Sequence, residues 1–306
     1  MKTKKTLSVV AFGEVLWDVF PTHKKIGGAP LNVALRMSSL GAKTTIISSV
    51  GPDEKGDEII SFIKSKNEST DFIQIADDYK TGVVNVMVNE KGNASYDISY
   101  PSAWDKIHLT QQMEQKVSES DVFVFGSLIC RDEISRSTLL SLLQKAKYKV
   151  FDANLRAPYY TTDVLNELML KADFIKLNDE ELWEISKNLE SPYNSFEQNI
   201  KFIAEKTNTK QVCVTKGAFG AVLYSNDKFY YNSGYFINVI DTVGAGDSFL
   251  ATLILRLLKG KSPQKSLNYA CAVGALVAGH EGANPIISNV AIRKYMMLEE
   301  KNQIKK

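Results

Sequence analysis

The residues best suited to chemistry are gathered in Asp241-Thr242-Val243-Gly244-Ala245-Gly246-Asp247, just ahead of the apolar run Ser248-Phe249-Leu250-Ala251-Thr252-Leu253-Ile254. That run predicts a helix reaching about Leu258, with Gly260 as its stop. Gly244, Ala245 and Gly246 then lie at a helix N-terminus, where backbone N–H groups lack intrahelical partners and the helix dipole favours negative charge. Small side chains let an anion approach those donors closely. Phosphoryl transfer needs such a place, because charge on the moving group must be met by preorganised donors. Asp247, in the first turn, could accept the proton of an attacking hydroxyl, a contribution of roughly 10²–10⁴-fold in rate. It could equally do no more than cap the helix.

A second constellation stands near the start: Gly27-Gly28-Ala29-Pro30-Leu31-Asn32-Val33-Ala34, with Gly41 and Gly51 downstream. Paired glycines let backbone come close to a polyhydroxylated ligand, and Asn32 offers both a donor and an acceptor. Pro30 suits the first turn of a helix over Leu31–Leu40 and Gly41 its end. A plain glycine turn into a helix would read the same way.

These segments need a frame. Short β-branched runs at Leu7–Phe12, Thr44–Val50, Asp121–Phe125, Tyr148–Phe151, Asp173–Leu177 and Gln211–Thr215 alternate with helical patterns such as Leu31–Leu40, Glu58–Lys66, Glu133–Lys145 and Glu180–Lys187. The alternation argues for an α/β fold with a mainly parallel sheet, and continuous apolarity in the strands argues for cover on both faces. Residues 82–100 break the rhythm: two strand-like stretches flank a turn around Asn89–Asn93 with no helix between, so an antiparallel hairpin is expected. It would be a lid, an oligomer contact or an ordinary edge hairpin. No repeat or low-complexity linker appears, so residues 1–306 read as one domain.

Composition narrows the partners. With 37 basic and 35 acidic residues, the net charge of +2 gives no electrostatic case for nucleic acid or a membrane surface. Cys130, Cys213 and Cys271 lie apart in apolar surroundings and read as buried thiols, without disulfide or zinc spacing. The apolar start, Leu7 to Phe12, is too short for a signal peptide and is followed at once by Glu14 and Asp18. No run reaches the roughly 18 apolar residues of a membrane helix, so a cytoplasmic protein is expected.

Taken together, the two constellations resemble the N-terminal and C-terminal signatures of the ribokinase-like (PfkB) sugar kinases, in order, over about Leu7 to Gly282. The resemblance implies a three-layer α/β/α sandwich with a small β-sheet lid from about 15–26 and 80–104. It implies Asp247 as catalytic base, the Gly244–Gly246 backbone with Ala245 as anion hole, and Asp18, Gly27, Gly28 and Asn32 as sugar ligands. Thr215, Gly217 and Gly220, in Val214–Gly220, resemble the nucleotide loop of the family, with Gly246 also facing ATP. Asn178 and Glu181 match an Asn-x-x-Glu motif associated with Mg²⁺ and phosphate, acting directly or through water. The same pair is also a capping box, and both readings can hold. Asp241, with Val243 and Gly282, resembles a monovalent-cation position of the potassium type. Thr252 departs from the usual Gly or Ala and puts local helix packing in question.

Within the family the sharper likeness is to fructokinases, on Gly13-Glu14-Val15-Leu16-Trp17-Asp18 and Asp152-Ala153-Asn154-Leu155-Arg156. Arg156 would clamp a phosphate or sugar oxygen, or serve an ion pair. Trp17, Tyr96, Ile98 and Trp104 would form an apolar cover over the sugar, or dimer contacts. Fructose is the leading substrate. Ribose, 2-keto-3-deoxygluconate and nucleosides are alternatives, as is an inactive sugar- or nucleotide-binding relative. An oxidoreductase is excluded because no Gly-x-Gly-x-x-Gly follows the first strand. Lid-to-lid homodimerisation is what the resemblance suggests.

Overall fold

The computed structural model describes the backbone of residues 6–88 and 94–303, and the side chains of residues 6–87 and 97–297. In chain order the strands are β1 (Ser8–Phe12), β2 (Leu16–Val19), β3 (Lys24–Gly27), β4 (Lys43–Val50), β5 (Ile73–Ile75), β6 (Gly82–Val88), β7 (Ala94–Ile98), β8 (Val122–Gly126), β9 (Lys149–Asp152), β10 (Phe174–Asn178), β11 (Gln211–Thr215), β12 (Ala221–Ser225) and β13 (Lys228–Asn232). The helices are α1 (Ala29–Ser39), α2 (Glu54–Ser65), α3 (Gln111–Glu119), α4 (Glu133–Leu143), α5 (Thr162–Leu170), α6 (Asp179–Asn188), α7 (Phe196–Thr207), α8 (Ala245–Leu258), α9 (Pro263–Ala278) and α10 (Asn289–Gln303).

A nine-stranded sheet runs in the order β13-β12-β11-β10-β9-β8-β1-β4-β5. Its pairings are parallel from β5 through β11, and β12 and β13 join antiparallel. Alternation along each strand sends side chains to two separate cores. Val10, Phe12, Phe123, Phe125, Phe151, Ile175 and Leu177 pack with α3 to α7 through residues such as Met113, Leu139, Leu165, Leu182 and Ile200. Val9, Ala11, Val122, Val124, Val150 and Phe174 pack with α1, α2, α8 and α9 through Leu31, Ile59, Leu250 and Leu267. These two cores account for the doubly apolar strands, and the architecture is the expected three layers.

The second sheet is small and separate, ordered β3-β2-β6-β7. β6 and β7 pair antiparallel, as the hairpin reading requires. The expected turn around Asn89–Asn93 and the side chain of Tyr96 lie outside the described residues. β2 joins β6 in parallel, so two segments far apart in sequence form one small sheet.

Because β1, β8, β9, β10 and β11 run the same way, their C-terminal ends share one edge of the large sheet. That edge carries Glu14, Leu128, Asn154, Asn178 and the loop after Thr215, where ligands of open α/β sheets bind. α8 begins at Ala245 and ends at Leu258, with Gly260 at φ 70° beyond it.

Candidate active site

β1 leads through Gly13 and Glu14 into β2, which turns back through β3 to α1. This short path brings both walls of a cleft together. The cleft has a volume of about 320 Å³ and is lined by Asp18, Gly28, Asn32, Arg156, Val243, Gly244, Gly246 and Asp247, among others. Such a volume suits a small ligand. Eight of the site positions expected from sequence therefore meet around one space. Gly27 stands just behind it, where any Cβ would strike the Asp18 carboxylate.

Asp247 lies in the first turn of α8, and its Oδ2 accepts a 2.9 Å hydrogen bond from Asn32 Nδ2 of α1. Asn284 Nδ2 in turn donates to Asn32 Oδ1 at 2.9 Å, which fixes the amide so that its NH₂ faces the carboxylate. Burial, reinforced by nearby Asp152, pushes the Asp247 carboxyl up to about 6, while Asn32, Lys176 and Arg156 pull the other way. A carboxylate so placed is ionised at neutral pH yet more basic than a solvated one.

The N-terminus of α8 is open on the cleft side. Gly244 takes φ 74°, and a Cβ there would collide with Ala283, so the turn into the helix needs glycine. The Ala245 N–H is spent on Thr242 O at 3.2 Å, and Ser248 N–H starts the helical ladder on Gly244 O at 2.9 Å. Among the described residues no protein acceptor meets the amides of Gly246 and Asp247, which leaves both able to donate to an anion. Thr252 is buried and bonds back to Ser248 O at 2.7 Å, which settles how helix packing absorbs that hydroxyl.

Lys176 and Asp152 are the main site residues that sequence reasoning left without a role. They are direct neighbours in the β9–β10 register and share the α8-facing side of the sheet with Val150 and Phe174. Lys176 Nζ donates to Asp152 Oδ1 at 3.0 Å and lies about where a Cβ on Gly246 would make contact, at 3.5 Å. Burial opposes its charge, but Asp152, Glu181 and Asp247 outweigh that and hold the ammonium above its ordinary range. The signal was a charged residue inside the apolar strand Phe174-Ile175-Lys176-Leu177. Glu14 is the third omission. It is buried in the cleft wall, its Oε1 accepts from Ala29 N at 3.2 Å, and burial pushes its carboxyl up to about 7.

Opposite stands Asp18, raised by burial to about 6 against the pull of Arg156 and Lys25. Arg156 is exposed at the rim, where its NH1 donates to Leu155 O at 2.9 Å. The apolar wall is built from Leu16, Phe20, Val84, Val86, Ile98 and Leu128. Of the four residues expected to cover the sugar, only Ile98 lines the cleft among the described side chains. Trp17 alternates with Leu16 and Asp18 and so points the other way, its Nε1 donating to Lys55 O at 3.1 Å. Trp104 is fully buried against Arg131, whose guanidinium lies 3.9 Å from the ring centre.

Asn178 and Glu181 form the reciprocal capping box of α6: Glu181 N donates to Asn178 Oδ1 at 2.7 Å and Asn178 N to Glu181 Oε2 at 2.8 Å. Glu181 Oε1 also accepts from Leu155 N at 2.9 Å, and burial raises its carboxyl. No set of three His, Cys, Asp or Glu side chains converges as metal ligands among the described residues. The orphaned, buried Asp152 Oδ2 beside this pair fits a hydrated Mg²⁺ reached through water, the form this ion prefers. Thr215 faces Asn178 across the β10–β11 register, with Gly217 and Gly220 in the tight turn that follows. These three sit on the same sheet edge but do not line the cleft. Asp241 Oδ1 accepts from Val243 N and Oδ2 from Gly282 N, both at 3.0 Å, while Lys25 Nζ sits 2.8 Å from Oδ2.

Residues 3–289 match the profile described as the pfkB family carbohydrate kinase. The chain belongs to the PfkB family of carbohydrate kinases. Across 314 residues this PfkB kinase is 28% identical to the Arabidopsis thaliana protein named Probable fructokinase-6, chloroplastic, covering 93% of this chain and 81% of that one. It superimposes on a Pyrococcus horikoshii protein described as an uncharacterized sugar kinase, with TM-score 0.80 and 26% identity over 94% and 99% of the two chains. A Vibrio cholerae fructokinase, solved with fructose, ADP and potassium ion, shares the fold at TM-score 0.83 and 21% identity, over 96% and 100% of the chains. No helix among the described residues is long and apolar enough to cross a membrane.

Proposed function

We propose that this carbohydrate kinase moves the γ-phosphoryl group of ATP to a hydroxyl of D-fructose. The observation that carries the proposal is Asp247 itself: a raised, Asn32-bonded carboxylate beside two unclaimed amides, at the floor of a cleft of sugar size. In this reading the sugar lies against Asp18, Gly28 and Asn32, with Gly27 admitting Asp18 to its position. Asp247 takes the proton of the attacking hydroxyl as its oxygen bonds to the γ-phosphorus and ADP leaves. The Gly246 and Asp247 amides meet the charge on the transferring group, and the Lys176 ammonium adds to them. ATP reaches across the sheet edge from the Thr215, Gly217 and Gly220 turn. Asn178 and Glu181 would hold Mg²⁺, directly or through water, and the ion would supply charge neutralisation on the phosphates. The small sheet formed by 15–26 and 80–104 acts as the lid, excluding water that would compete as acceptor.

Arg156 favours a second reading. Its guanidinium stands at the rim without a salt-bridge partner among the described residues, so an acid sugar such as 2-keto-3-deoxygluconate would find a bidentate partner there. Product formation from a panel of fructose, ribose, 2-keto-3-deoxygluconate and nucleosides, with Mg-ATP and with excess chelator, separates the readings. Fructose 's phosphorylation, lost on chelation, is the expected result. A better rate with the acid sugar replaces the substrate, and binding without transfer to any acceptor leaves a non-catalytic relative.

A further inference from the structure

We infer that the ammonium of Lys25 serves as a built-in cation at Asp241, in place of the monovalent ion expected there. The Asp241 side chain is 16% exposed and that of Lys25 32%, so the pair is partly withdrawn from water. Each carboxylate oxygen is already engaged. Oδ1 takes the Val243 N–H, and Oδ2 takes both the Gly282 N–H and Lys25 Nζ. A carboxylate offers about four lone-pair sites, and three of them are filled by hydrogen-bond donors. An alkali cation needs oxygen ligands in place of its water shell. Here Val243 and Gly282 turn N–H groups, not carbonyl oxygens, to the carboxylate. The ammonium also sets a positive charge directly against the carboxylate, and Asp241 is held below its ordinary range by Lys25 and the two amides despite burial.

The position of this charge matters for the site. Asp241 staples the loop before α8 to the loop after α9, and Gly244 packs against Ala283 between them. Lys25 arrives from β3, whose partner β2 carries Asp18 into the cleft. The compensating charge is therefore covalently part of the small sheet and joins it to the loops that hold the phosphate-binding amides.

The rate arm of the test rests on the kinase reading, whereas its melting arm does not. Wild type, Lys25→Met and Lys25→Arg are compared in KCl and in tetramethylammonium chloride at equal ionic strength, by initial rate with Mg-ATP and sugar and by thermal melting. The wild type and Lys25→Arg should differ less than about twofold between the salts and melt alike in both. Lys25→Met should be slow in tetramethylammonium, recover about tenfold in KCl, and melt higher in KCl because the ion binds the folded state. A wild type stimulated about tenfold by KCl, or a Lys25→Met whose rate and melting both ignore KCl, would overturn the inference. Absence of transfer by the wild type in both salts would instead sink the kinase reading, and the melting response of Lys25→Met to KCl still decides this one.

Discussion

Replacing Glu14 by Gln should change stability in a pH-dependent way whose size follows from the site. The Glu14 carboxyl is raised from an ordinary 4.5 to about 7, first by burial and then by Asp247, against the backbone amides of Glu14 and Ala29 and the charge of Arg156. Because the folded value lies above the unfolded one, the folded chain holds the extra proton between them. Stability is thus fully present below about 4.5 and is lost as pH rises through about 7. Gln keeps an acceptor for Ala29 N–H and removes the charge. Any pH-independent penalty of the amide cancels when two pH values are compared. Between about pH 5 and about pH 8 the stability difference should move by roughly 2.5 kcal/mol in favour of the Gln variant. Urea unfolding of both proteins at the two pH values measures it. An unchanged gap, or one that moves toward the wild type, would refute the claim that the cleft holds Glu14 against its ionisation.

The other expectations concern turnover. With Asp247 at about 6 and needed as the anion, kcat/KM should fall about tenfold per pH unit below that value and level off above it. A profile flat down to about pH 4.5 would exclude this carboxylate as the titrating base. Lys176→Met should lower kcat by about 10²–10³-fold, the size of other losses of a transition-state donor. It should also cost roughly 3–5 kcal/mol, since Asp152 is left as an unpaired buried charge. The double variant Asp152→Asn, Lys176→Met should regain stability without activity, and recovery of both would assign Lys176 a purely structural role.

The large sheet was legible because each strand announces itself twice, as an apolar run and as a partner to a helical pattern. Asp247, Asn32 and Gly244 were legible for a related reason: their chemistry sits in contiguous strings beside helix starts. What escaped needed three dimensions. Lys176 and Asp152 lie 24 positions apart and become neighbours only through the β9–β10 register. The parity of β2 decides that Leu16 and Asp18 face the cleft while Trp17 turns to Lys55, and its pairing with distant β6 fixes that parity. Trp104 carries no mark in the sequence that Arg131 and Gly82 would enclose it. Lys25 reads as one more surface lysine until the fold carries it across 216 positions to Asp241.

The kinetics of Asp247→Asn with Mg-ATP and the best sugar of the panel bear most directly on all of this. Asn is nearly isosteric and can still accept from Asn32, so the variant should fold, melt no lower than the wild type at neutral pH, and bind ATP as before. Its kcat should fall by at least about 10²-fold. A kcat close to that of the wild type would mean that the proton leaves by another route and that Asp247 only caps its helix.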